Sequence, residues 1–104
     1  MVAPVLPSKP RFQLGQIVAT PGAIDALTKS GQQPAEFLAR HQYGDWGELD
    51  EEDRKSNDAA IAHEGDVDQQ DRILSAYRTR LNVKIWVITE RDRSVTTLLL
   101  PEEY

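Results

Sequence analysis

Three short stretches of this 104-residue chain hold the side chains that could do chemistry. The most singular is Arg40-His41 followed by Asp45-Trp46. His41 could serve as a general base with Asp45 orienting it, beside a tryptophan able to stack on a nucleobase or another ring. The same residues also have a structural reading, in which Trp46 anchors a loop against the helices and Asp45 binds turn N–H groups. The second stretch is Glu90-Arg91-Asp92-Arg93-Ser94, with Thr96 and Thr97 just beyond it. Arg91, Arg93 and the hydroxyls suit a phosphate. They equally suit a salt-bridged turn in which Asp92 and Ser94 cap local N–H groups. The third is a run of carboxylates, Glu48, Asp50, Glu51, Glu52 and Asp53, with Asp58 further along.

These stretches define two functional classes. One is a non-catalytic binding protein that presents Glu48, Asp50, Glu51, Glu52, Asp53 and Asp58 to a protein with a basic surface. Duplex DNA carries about one charge per 1.7 Å of axis, and an acidic helix approximates that density. The other is a small metal-independent ribonuclease, or a nucleic-acid-binding domain, that uses the basic strands near the end of the chain. His41, Arg93 and Tyr104 would be its catalytic candidates, with Arg72 and Arg78 nearby. A net charge of −5 weighs against that second class, because nucleases of this kind carry a basic footprint. The reading therefore favours a protein without catalytic activity.

Other chemistries lack their residues. The absence of cysteine excludes disulfides, zinc ribbons and thiol nucleophiles. His41 and His63 do not form an H-E-x-x-H pattern, and Asp66-Val67-Asp68 lacks the glycine and terminal glutamate of a calcium loop. No phosphate loop, dinucleotide fingerprint or nucleophile elbow occurs. Neither a metal nor a cofactor is expected. The proline-broken start of the chain does not resemble a signal peptide, and no apolar run reaches the ~18 residues that span a bilayer. Together with the missing cysteines, this points to a cytoplasmic protein with no membrane contact.

The charge is divided along the chain. Residues 40–71 carry eleven acids against three bases, a net −8, whereas the remainder carries nine bases against six acids, or +3. An acidic middle thus precedes a mildly basic final third. The elements that must position these groups follow from pattern. Residues 1–11, with three prolines and no periodicity, read as a flexible arm ahead of a single domain over 12–104. Phe12 to Ala19 offers a short strand. Thr20-Pro21 starts a helix with a capping hydroxyl and a proline that needs no N–H partner, and Gly31 stops it. Pro34 starts a second helix. Asp50 caps a third over about 50–64, whose first half lacks an apolar stripe and faces solvent. Strands follow at 73–77, 83–89 and 95–100, joined by short polar connections that fit hairpins. The expected fold is α+β: a short strand, three helices, then a three-stranded antiparallel meander with helices on one face. Its central strand is Val83–Glu90, and Trp86 on it should be largely buried.

Three blocks carry a resemblance. They are Gly15-Gln-Ile-Val-Ala-Thr-Pro-Gly-Ala23, Arg40-His-Gln-Tyr-Gly-Asp-Trp-Gly47, and the stretch from Trp86 to Tyr104. They resemble a family of uncharacterised bacterial proteins of about 100 residues encoded on plasmids and integrated mobile elements. The resemblance implies a genomic setting rather than a chemistry. It also implies that Gly65–Asp71 is a peripheral insertion. In that setting, an acidic accessory protein would counter or modulate a host defence or replication protein that binds nucleic acid.

Overall fold

The computed structural model describes residues 10–104. In chain order the elements are β1 (Gln16–Ala19), α1 (Pro21–Ser30), α2 (Pro34–Gln42), α3 (Glu51–Ala62), β2 (Ile73–Arg78), β3 (Lys84–Thr89) and β4 (Val95–Leu99), with a 3₁₀ turn over Pro101–Glu103. The expected arm lies mostly outside the described residues, and Arg11, its last member, is tied by its N–H to the Gln42 carbonyl (2.9 Å).

The fold class is α+β, as the pattern of elements required. The four strands form one sheet in the order β1-β4-β3-β2. β2, β3 and β4 make the antiparallel meander with β3 central. β1 corrects the expectation of a purely antiparallel sheet, because it pairs with β4 in parallel. The three helices between β1 and β2 give the chain room to return in that direction.

Local chemistry sets the helix boundaries. Thr20 accepts from the Ala23 N–H (3.3 Å) ahead of Pro21, and Gly31 closes α1 in the left-handed region at φ 69°. Asp50 accepts from the Asp53 N–H (2.8 Å) and so caps α3. The first strand is shorter than the expected Phe12–Ala19. Gly15 sits at φ 65°, and a Cβ there would lie 2.3–2.4 Å from the Arg93 and Ser94 carbonyl oxygens. The chain therefore turns at Gly15, and Phe12 enters the core outside the ladder.

Register assigns the two sheet faces. Ile73, Ser75 and Tyr77 lie opposite Thr89, Val87 and Ile85, and Val87 and Thr89 lie opposite Leu98 and Thr96. This face packs under α1 and α2, with Ala23, Ala26, Leu27 and Phe37 against Tyr77, Ile85, Val87 and Leu98. Trp86 belongs to the other face and is only half-buried, against the expectation of deep burial. Its ring meets Tyr104 edge-on at 5.7 Å between centroids. A second cluster joins Phe12, Trp46, Leu49, Ala60, Ile73 and Ala76.

α3 packs on β2 through Ala60 and is hydrogen-bonded to it through one side chain. Asn57, 2% exposed, donates to the Leu74 carbonyl (2.6 Å) and accepts from the Leu74 N–H (3.1 Å). Two residues further along β2, Glu48 N–H donates to the Ala76 carbonyl (2.7 Å) and Ala76 N–H to the Trp46 carbonyl (3.1 Å). Residues 46–48 and Asn57 thus complete the hydrogen bonding of an otherwise open edge.

Candidate functional site

His41 follows Phe37 by one helical turn on the buried line of α2 and is fully buried. Its Nδ1 lies 2.5 Å from Ser75 Oγ and its Nε2 lies 2.9 Å from Thr89 Oγ1. Thr89 Oγ1 is 2.6 Å from Thr96 Oγ1, which donates to the Leu14 carbonyl (2.7 Å). The direction of this chain follows from its end. A carbonyl only accepts, so the single Thr96 proton points at Leu14, and Thr96 must accept from Thr89. Thr89 then accepts from His41 Nε2–H, which leaves Nδ1 to accept from Ser75. The ring is held as the neutral Nε2–H tautomer. Burial first, and the Arg93 charge second, lower its pKa from 6.5 to about 3. Phe12 and Trp46 stand edge-on to the ring at 5.1 and 6.1 Å.

Asp45 does not orient His41, as the catalytic reading required. It pairs with Arg40 (2.7 Å) and accepts from the Gly47 N–H (3.1 Å). Partial burial opposes its ionised form, but the Arg40 hydrogen bond and the Gly47 N–H outweigh that and hold its pKa below the usual value. The Arg40 guanidinium lies 4.4 Å over the Tyr77 ring, and the Tyr77 hydroxyl donates to the Asp45 carbonyl (2.5 Å). Trp46 is 6% exposed, packs on Phe12, and donates its indole N–H to Asp58 (3.3 Å). The cluster is the anchored loop of the structural reading.

The turn at 90–94 is likewise turned inward. Arg93 is 7% exposed and adopts φ 61°. Its guanidinium pairs with Glu64 (2.7 Å) and donates to the carbonyls of Asp71 (2.6 Å), Glu90 (3.1 Å) and Arg91 (3.1 Å). Arg91 donates to the carbonyls of Gln70 (2.9 Å) and Val67 (2.8 Å). Ser94 donates its N–H (3.0 Å) and hydroxyl (2.5 Å) to Asp92. The two arginines fasten the 64–71 loop to the hairpin, so that loop is firmly held. A shallow cleft of about 400 Å³ remains between them, lined by Val67, Gln70, Glu90, Arg91, Asp92 and Ser94.

Tyr104 lies on the sheet face away from His41, where its hydroxyl accepts from Arg72 (2.6 Å). The three catalytic candidates are therefore not assembled. His41 and Arg93 are interior groups that both lie against the Phe12 ring and share no hydrogen bond, and Tyr104 is across the sheet.

The acidic candidates do share one region of surface. Asn57 and Ala60 define the buried line of α3, which leaves Glu51, Glu52, Lys55 and Asp58 outward. Some of their charge is used locally. Asp50 caps the helix, Glu51 pairs with Lys55 (3.4 Å), Glu48 pairs with Arg78 (2.9 Å), and Asp58 accepts from Trp46. Arg54, which could neutralise the face, instead donates to the carbonyls of Leu49 (2.9 Å) and Gly47 (2.8 Å). Residues 50–58 keep five acids against Arg54 and Lys55, a net −3.

Ser75, Thr89 and Asn57 escaped the sequence reading, and Thr96 entered it only as a hydroxyl for a phosphate. Their signal was polar residues at positions where the strand or helix pattern is apolar. Among the described residues, no group of histidine and carboxylates is placed to hold a metal, and no helix is long and apolar enough to cross a membrane. Comparison with protein-family models, with curated proteins and with solved structures finds no match.

Proposed function

We propose that this chain is a non-catalytic binding protein whose α3 carboxylates engage a basic surface of another protein. One observation supports the reading most strongly. The acids of α3 are exposed, and Arg54, though exposed too, is held by the Leu49 and Gly47 carbonyls, so Glu52 and Asp53 have no cationic partner among the described side chains. Dipole complementarity at a helix start stabilises by only about 0.3–1 kcal/mol per acid, and repulsion between neighbours offsets part of that. Charge beyond the needs of the cap raises association rates with an oppositely charged partner. Consecutive residues rise 1.5 Å along a helix, so Glu51-Glu52-Asp53 approaches the axial charge spacing of duplex DNA. The partner class that fits is a cytoplasmic nucleic-acid-binding protein of defence or replication, and the setting that fits is a bacterial mobile element.

The test is competition. A host protein captured by the wild-type chain should release labelled duplex DNA as this protein is added. Displacement should weaken as salt is raised. Release that is absent, or equal for a chain with Glu51, Glu52 and Asp53 neutralised, overturns the reading.

A further inference from the structure

The two edges of the sheet are treated differently. The outer edge of β2 is closed by Asn57 and by residues 46–48. The outer edge of β1 pairs with nothing among the described residues. Gln16 and Thr20 donate their N–H groups to the Ser94 (2.9 Å) and Leu98 (3.0 Å) carbonyls. Backbone groups alternate sides along a strand, so the N–H and C=O of Ile17 and Ala19 face outward.

Natural proteins protect such an edge with charge, proline or a bulge. β1 is short, four residues, but has none of these three. Phe12 to Ile24 is a run of 13 residues without a charged side chain, in a chain that is 28% charged and whose next longest such run is eight. On the strand itself, Ile17 and Val18 are 42% and 37% exposed.

We propose that this edge pairs with the same edge of a second copy, antiparallel about a two-fold axis, to give a continuous eight-stranded sheet. An uncharged strand with alternating donors and acceptors is self-complementary, as an isologous contact requires. Charge placement favours a second copy as the occupant. A protomer of net charge −5 resists self-association, but its acidic helix lies beside β2, at the far end of the sheet. In the paired sheet the two α3 helices stand about seven strand spacings apart, roughly 34 Å. That is several times the ~8 Å screening length at physiological salt. The inference is independent of what α3 binds.

The test is sedimentation equilibrium of the wild type, Ile17→Pro and Ile17→Lys from micromolar to millimolar concentration. The Ile17 N–H is not used by β4, so proline there removes an outward donor and leaves the ladder within the protomer intact. The wild type should pass from the 11.7 kDa monomer to a dimer. Both variants should weaken association about tenfold or more: by symmetry, proline removes an outward N–H from each copy, two hydrogen bonds at once, and lysine brings two like charges to the shared edge. Their circular dichroism at low concentration should match the wild type. If the variants fail to fold, amide exchange of the wild type decides. Ile17 and Ala19 should exchange fast when dilute and become protected on concentration. A wild type that stays monomeric overturns the proposal. So does a dimer that keeps Ile17 and Ala19 in fast exchange, or one that both substitutions leave unchanged.

Discussion

Lowering the pH below the ordinary histidine range should destabilise this protein through His41. The folded ring titrates at about 3 and a free histidine at 6.5. Between those values the unfolded chain binds a proton that the folded chain refuses, so stability is lost as pH falls. The full contribution is present above 6.5. From there the loss approaches 1.36 kcal/mol per pH unit, or about 2 kcal/mol between pH 7 and pH 5. The cause is geometric. A proton on Nδ1 would face the Ser75 hydroxyl that now donates to it, inside a site without solvent and near Arg93. Urea denaturation at pH 7, 6 and 5 reads the effect, and with a slope of about 1–3 kcal/mol/M the midpoint should fall by roughly 1–2 M. His41→Gln cannot titrate, so it should be less stable at pH 7 yet flat between pH 7 and 5. A wild-type midpoint that is constant from pH 7 to 5, or an NMR titration of His41 near 6.5, would refute the reasoning.

Two further substitutions test the closed edge of β2. Gly47→Ala forces a side chain into φ 71°, with its Cβ 2.0 Å from the Ala76 carbonyl oxygen. It should cost more than about 2 kcal/mol and lower the melting temperature by about 8–16 °C; a shift within a degree would show that residues 46–48 do not need that approach. Asn57→Ala leaves the Leu74 N–H and C=O without their partner and should cost about 2–4 kcal/mol. The Leu74 amide should then exchange much faster, and unchanged protection would mean that Asn57 is dispensable to the edge.

Features decided by near neighbours were legible in the sequence. The Thr20 and Asp50 caps, the proline starts at 21 and 34 and the glycine stop at 31 depend on a few adjacent atoms. The β2-β3-β4 meander joins consecutive strands by short turns, including Asn82 at φ 65°, a conformation asparagine tolerates. What failed depended on distant partners. β1 pairs with a strand about eighty residues later, and nothing in its four residues indicates a parallel neighbour. Alternation placed Trp86 and Val87 on opposite faces but did not show which face the helices cover. The apolar positions on both sides of β3 led to the expectation that Trp86 is largely buried, whereas Ile85, Val87 and Ile88 are buried and Trp86 is half-covered. At the candidate site, His41 and Asp45 are near in sequence, and proximity suggested a dyad. The hydroxyls that hold the ring come from residues 34 and 48 positions away. The outward carboxylates of α3 were legible because the missing apolar stripe is itself a local pattern.

The most direct test of the binding reading changes Glu51, Glu52 and Asp53 together to Gln, Gln and Asn. Asp50, whose side chain holds the cap, stays in place, so α3 should survive, and far-ultraviolet circular dichroism with a melting curve establishes that it does. Affinity for the captured basic partner is then measured over a range of salt for the wild type and the variant. The account predicts weaker binding by the variant, chiefly through slower association, together with a shallower dependence on salt. Unchanged affinity with an unchanged salt slope would contradict it and leave the α3 carboxylates as solubilising charge alone.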